Sequence, residues 1–409
     1  MALPALRNIE MVPVEQDGQP AICLHDPEGY VEEQVVLSPP AFFVAASLDG
    51  TSDVVDVQHA FARQFGGSLI MSDDVLKVVD FLDEHGLLLS DTFYALRQRV
   101  VEAFARLPAR PAHLAGKSYP QEPDTLRAFL DELFTREGGP GHVPATSGTG
   151  APLPCLIVPH IDFARGASGY AHGYLRLYEH GKPDTVFVFG VSHVGGEVPF
   201  ILTRKHFETP LGLIETDQEA VEQLASACDW PPYDEEILHR IEHSIEFQAV
   251  MLAYLYGPAV RMVPILCAAL TPSPDVRDPA EVDGVARFLS ACKTVAGSDT
   301  RKTAVVAGAD LAHVGPRFGD PFDVDEAVLR RIEQRDREDL AFVNAVDPEG
   351  FYRSVMQDEN ARRVCGLGCI YAALKTVEGR AGHGELLHYG SAPDPAGGEV
   401  SFAGIALGA

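Results

Sequence analysis

The chain has 409 residues, 46% hydrophobic and 22% charged, enough apolar material for more than one core and unlike a disordered or fibrous sequence. With 59 acidic against 32 basic residues its formal charge is −27, a field that repels nucleic-acid backbones and anionic membrane surfaces. No apolar run approaches the ~18 residues of a membrane-spanning helix. Arg7 and Glu10 also interrupt the stretch where a secretion signal would sit, so a cytoplasmic protein is expected. Seven scattered cysteines, an odd number, read as core thiols in a reducing compartment rather than a disulfide framework.

In chain order, QPAICLHDP and EEQVVLSPP alternate like short strands. A helix then starts at Ser38 with prolines in its first turn, and VVDVQHAFARQFGG is a second helix stopped by glycines. SDDVLKVVDFLDEHG reads as a third, with Ser72 as its cap, acids in its first turn and His85-Gly86 closing it. LLLS follows as a strand. Two strands, three helices and a closing strand predict a small α+β winged-helix-like domain over residues 1–110. Its seven Lys/Arg against seventeen Asp/Glu, a net charge of −10, exclude DNA as its ligand. The run AASLDGTSDVVDVQHAFARQFGG followed by VVDFLDEHGLLL resembles the peptide-recognition domains of the PqqD type, which implies a docking module for a peptide or protein.

RLPARPAH (106–113) reads as a boundary, DTLRAFLDELF (124–134) as a helix, and the Gly/Pro/Ser/Thr-rich segment 136–154 as flexible. From 154 onward buried strands alternate with helices: PCLIV at 154–158, TVFVFGV at 185–191, VRMVPIL at 260–266 and TAVVA at 303–307, with VSFAGIALG as a last strand. TDQEAVEQLASAC carries a capping-box pattern, Thr216 with Glu219, and HSIEFQAVMLAYLYG is a helix stopped at Gly257. This predicts an α/β domain, a largely buried sheet flanked by helices on both faces.

The polar residues fall at the strand ends. One strand runs into His160, a second into His193, and a third into Asp310 with His313 three residues on. A single histidine there is more often a hydrogen-bonded loop residue than a ligand, but three strands finishing alike point to a site at the carboxyl edge of the sheet. EHSIEF adds Glu242, His243 and Glu246, with His243 and Glu246 on one helix face. In RRVCGLGCIYAALKTV, Cys365 precedes a helix starting near residue 367, where the free N–H groups and dipole favour a thiolate; Cys369, one turn later, reads as core. Two imidazoles and a thiolate around one open position suit iron, copper or zinc better than magnesium or calcium. Asp310, His313, His243 and Glu246 would then orient ligands and move protons.

These motifs, PHIDFARGASGYAHGY, FGVSHVG, EHSIEFQ, GADLAHVG and VCGLGC, occur in the order found in the Memo family, and LAGKSYPQEPDTLRAFLDELF resembles that family's opening segment. The resemblance covers residues 113–409 and implies a fold related to the class III extradiol dioxygenases, which use non-haem iron. It places the metal ligands at His160, His193 and Cys365 and further pocket residues at His243, Asp310 and His313. Bacterial members are often called system protein B of a set that includes a radical-SAM protein, which implies such a partner. Where the dioxygenases complete their triad with a carboxylate the resemblance places Cys365, which argues against ordinary catechol cleavage. Most members also have Ala-Gly-Tyr after the first histidine, where this chain has Ile161-Asp162-Phe163. Three readings follow: a metal-dependent redox protein on iron or copper, with zinc as the third candidate; a non-catalytic peptide-binding protein; and a thiol hydrolase or transferase with Cys365 as nucleophile.

Overall fold

The computed structural model describes residues 2–271, 276 and 278–408, and the chain divides into two compact units, Met1–Arg106 and Leu107–Ala409. In the first, β1 (Glu10–Gln16), β2 (Gln19–His25) and β3 (Val35–Leu37) form an antiparallel sheet in that order. Helices α1 (Pro39–Ala46), α2 (Val54–Gln64), α3 (Ser72–Glu84) and α4 (Asp91–Ala105) follow. Val44, Val57, Val75, Leu82 and Leu88 make its core.

Several local expectations change here. The run 10–16 is a third strand, and α4 is a fourth helix. Of LLLS only Leu88 pairs, through a single bridge to Leu6. Met71, rather than Ser72, caps α3, which leaves Ser72 as the first helical residue. A buried Arg7 ties this unit together, with its guanidinium on Asp26 at 2.9 Å and on Glu28 at 2.8 Å.

The second unit begins with β4 (Ala109–Arg110), α5 (Pro123–Thr135), β5 (Cys155–Val158), α6 (Phe163–Glu179) and β6 (Thr185–Val191). Next come β7 (Phe200–Leu202), β8 (His206–Thr209), β9 (Gly212–Thr216), α7 (Gln218–Ala225), α8 (His243–Tyr256) and β10 (Arg261–Cys267). The chain continues through α9 (Asp283–Ala296), β11 (Thr303–Gly308), β12 (Asp310–Val314), α10 (Glu326–Asn344) and α11 (Pro348–Met356). It closes with α12 (Leu367–Val377), β13 (His383–Asp394) and β14 (Gly398–Gly408). Their sheet has the order β12-β14-β5-β11-β6-β10-β9-β8-β4, with β13 paired to β14 and β7 to β10. The centre, β5-β11-β6-β10, is parallel.

Alternate residues of each central strand feed opposite cores, as a two-sided sheet requires. Cys155, Phe187, Ile265 and Val305 pack with α9 and α12, while Leu156, Val188, Leu266 and Val306 pack with α6 and α8. The segment 136–154 has no helix or strand but is tied along α5 and α6, Gly141 N–H donating to Phe134 O and Gly148 N–H to Tyr178 O. The cap of α7 is Asp217, whose carboxylate accepts from Ala220 N–H, so Thr216 ends β9 instead of capping a helix. Among the described residues no helix is long and apolar enough to cross a membrane.

Candidate metal centre

Parallel strands β5, β6 and β11 end side by side, and the residues just past them share one edge of the sheet. His160 lies two residues beyond β5, His193 two beyond β6, and Asp310, which opens β12, two beyond β11. The fourth contribution is the N-terminus of α8, which enters the crevice because the strands facing it carry glycines. A Cβ on Gly190 would lie 2.6 Å from Ser244 Oγ, and one on Gly308 would lie 2.7 Å from the Ser244 carbonyl. That close approach brings His243 to the two strand-end histidines.

His160, His193 and His243 each present a ring nitrogen, all within 4.8 Å of one another. The rings of His193 and His243 stack with centroids 4.5 Å apart, and His160 stands perpendicular to both. The other nitrogens are already engaged. His160 Nδ1 donates to the Gly308 carbonyl at 2.8 Å, which forces its Nε2 to be the lone-pair nitrogen. His193 Nδ1 donates to Glu242 at 3.0 Å, and His243 Nδ1 lies 3.3 Å from the same carboxylate. Glu242 caps α8 through Ser244 N–H and also accepts from the His193 backbone N–H at 3.1 Å.

Cys365 stands beside this group, with Sγ 3.3 Å from His160 Nε2. A tetrahedral ion bound by one nitrogen and one sulfur holds those atoms roughly 3.5 Å apart. Imidazoles locked through Nδ1 to a carbonyl or carboxylate are how metal-ligating histidines are oriented. The three histidines could therefore hold a metal ion.

Electrostatically the cluster is a frustrated group of like charges around one carboxylate. Burial, with His193 and His243 nearby, holds His160 well below the usual imidazole range. Burial also opposes a charge on His193, but Glu242 and Cys365 outweigh it and raise that ring well above its ordinary value. His243 is depressed to about 4, by burial first and then by His193, against the pull of Glu242. Glu242 stays well below the carboxylate range because the two histidines overcome its burial. The Cys365 thiol is pushed up to about 11 by burial, a cost that the hydrogen bond from His193 only partly offsets. The helix-terminus argument for a ready thiolate thus loses to desolvation, and a cation at the cluster is what would release that proton.

Asp310 is 1% exposed; its Oδ1 accepts from His160 N–H at 3.0 Å, its Oδ2 lies 3.5 Å from His160 Nε2, and burial raises it to about 7. His313 lines the same recess but stands outside the ligand group, with Nδ1 on the Leu311 carbonyl at 3.1 Å and its ring edge-on to Phe318. The recess has a volume of about 510 Å³, and its walls include His113, Ile161, Arg165, Phe247 and Val400. Asp162 caps α6, accepting from Ala164 and Arg165 N–H at 3.1 Å each and pairing with the Arg165 guanidinium. That is why a carboxylate follows the first histidine.

A Memo-like protein family model matches residues 110–407. The chain belongs to the Memo family. An Aquifex aeolicus protein described as a MEMO1 family protein is 28% identical over 384 residues, spanning 93% of this chain and 94% of its own length. A Methanopyrus kandleri protein of the same description is 31% identical over 299 residues, 73% of this chain and 97% of the relative. One from Metallosphaera sedula is 30% identical over 303 residues, 72% and 96% respectively. The two archaeal matches account for a share of the chain close to that of the Memo unit alone, whereas the Aquifex match must extend into the N-terminal unit.

Of the residues expected from the sequence, His160, His193 and His243 come together as one group, with His243 rather than Cys365 as its third member; Cys365 and Asp310 reach His160, and His313 lines the recess nearby. Glu242 stands out in EHSIEF, but the sequence assigns it no role. Its only local signal was its place just ahead of a helix, which reads as a cap; its contacts to His193 span 49 residues of sequence.

Proposed function

We propose that this Memo-family chain is a metal-dependent redox protein, with His160, His193, His243 and Cys365 as the donors for one first-row ion. The observation that carries this is the locking of His160 and His193 through Nδ1, with His243 Nδ1 beside the same Glu242 carboxylate, which leaves the other side of these rings for a metal. Three imidazoles and a thiol favour iron or copper, and then zinc, over the oxygen-seeking ions. A bound ion with an exchangeable position supplies Lewis-acid and one-electron chemistry. Asp310 and His313 face the recess as the groups that would hold or pass a proton beside it. Glu242 keeps His193 and His243 aimed, and the apolar wall of Ile161, Phe247 and Val400 excludes water from a bound organic substrate. The acidic N-terminal unit, with Leu69 and Met71 exposed at 84% and 66%, suits docking of a peptide or of a radical-SAM partner.

The test is elemental analysis of anaerobically purified protein beside its Cys365→Ser variant. About one iron or copper per chain, reduced in the variant, supports the assignment. No metal in either, with reconstitution also failing, rejects it. The thiol reading has its own support in the contact between Cys365 Sγ and His160 Nε2, a nucleophile–base distance. Activity that survives complete chelation would favour it.

A further inference from the structure

Arg110 is among the largest fully buried side chains of the described residues, and it comes from a two-residue strand at the far edge of the sheet. Its guanidinium is used on every side. Nε donates to the His239 carbonyl at 2.7 Å, Nη2 to the Glu242 carbonyl at 2.9 Å and Nη1 to the Pro111 carbonyl at 2.9 Å. Nη1 also pairs with Glu246 Oε2 at 2.6 Å. Glu246, itself 0% exposed, accepts from Tyr119 Oη at 2.5 Å and from Leu114 N–H at 2.8 Å through its other oxygen.

The fork therefore grips both ends of the turn that feeds α8. Residue 242 is where that turn becomes the helix cap, and its side chain holds the rings of His193 and His243. Arg110 fixes the peptide carbonyl of the same residue, and Glu246 fixes Arg110 from one helical turn further on. A planar five-donor fork can reach two carbonyls and a carboxylate together, which a lysine ammonium on a flexible stem cannot.

We propose that Arg110 and Glu246 are positioning residues for the histidine cluster, setting the aim of His193 and His243 through the peptide groups of residues 239–242. The metal half of this rests on the function proposed above; the positioning half does not.

The experiment has two readouts on the full chain. The first is the Nδ1 proton of His193, hydrogen-bonded to Glu242, followed by imidazole ¹H–¹⁵N NMR in metal-free protein. The second is cobalt(II) affinity, with the visible ligand-field bands, on titration with the metal alone. The variants are Arg110→Lys, Glu246→Gln and the double Arg110→Met/Glu246→Met, which removes both buried charges together so that neither is left unpaired. Asp217→Asn serves as control, since that buried carboxylate caps α7 and pairs with Thr185 at the opposite end of β6.

The expected result is loss or displacement of the His193 signal and roughly 10- to 100-fold weaker cobalt binding in the Arg110 and Glu246 variants, with altered bands. Asp217→Asn should change neither. Folded variants with an unmoved signal and unchanged affinity overturn the proposal. If wild type takes no cobalt while the signal still responds, the positioning stands and the metal reading falls. If wild type takes no cobalt and the signal is indifferent, both fall.

Discussion

Glu242 accepts from His193 twice, from the backbone N–H at 3.1 Å and from ring Nδ1 at 3.0 Å, so one carboxylate fixes both the chain and the ring of a candidate ligand. Glu242→Ala should weaken metal binding by roughly 10- to 100-fold, in line with other carboxylates that orient ligating histidines. Glu242→Gln, which keeps an acceptor but not the charge, should fall between that variant and wild type. Equilibrium dialysis of the three proteins against cobalt(II) measures it, and equal affinities would remove Glu242 from the site.

Deleting an imidazole should be more severe. His193→Ala purified anaerobically is expected to hold less than about a tenth of the wild-type metal, since a four-donor ion loses a full coordinate bond. Inductively coupled plasma analysis reads this directly. Full occupancy in the variant would contradict the ligand assignment.

His239 predicts a pH dependence of stability. It is buried at 1% exposure, donates to the Ile201 carbonyl, and is depressed to about 4, chiefly by burial. In the unfolded chain it takes a proton near pH 6.5, while the folded protein refuses one until about pH 4. The unfolded state therefore binds more protons in that window, and stability is lost as pH falls from 6.5 towards 4, by about 3 kcal/mol at most from this group. His239→Gln keeps a donor and removes the titration. Urea unfolding at pH 7 and pH 4.5 should show a smaller acid loss in the variant; an identical loss would assign the effect to other groups.

The approach of α8 to β6 predicts a steric effect. A Cβ at residue 190 would sit 2.5 Å from Ile245 Cγ1, a distance real atoms do not adopt, so Gly190→Ala should cost about 1–3 kcal/mol and push His243 away from its neighbours. Gly150→Ala, where nothing lies within 4 Å, should be nearly neutral. Chemical denaturation compares the two, and a neutral Gly190→Ala would mean that α8 shifts freely.

The central strands were legible because parallel strands buried on both faces must be continuous apolar runs, and CLIV, TVFVFGV and TAVVAG are such runs. The strand-end histidines were legible for the same reason, since each stands two residues past its run. The three-residue β7 and the edge strands β8 and β9 were not, because short or half-exposed strands carry too little periodicity to separate from loop. β1 was missed in the same way, as its residues are mostly exposed. Glu242 and Arg110 act through contacts 49 and 132 residues away, and nothing local encodes such pairs. Asp162 could have been read as a helix cap, for it stands directly before FARGASGYAHGYL and accepts from the N–H groups two and three residues on.

His160 and Cys365 meet across 205 residues of sequence, and β14 pairs with β5 from still further along the chain. A ribosome adding 5–20 residues per second needs on the order of ten to forty seconds to make the second partner after the first. Throughout that interval the apolar edge of β5 has emerged without the β14 that will cover it, and His160 without the thiol it meets in the fold. An uncovered strand edge is a template for wrong pairing, so β5 is protected only once β14 is in place beside it.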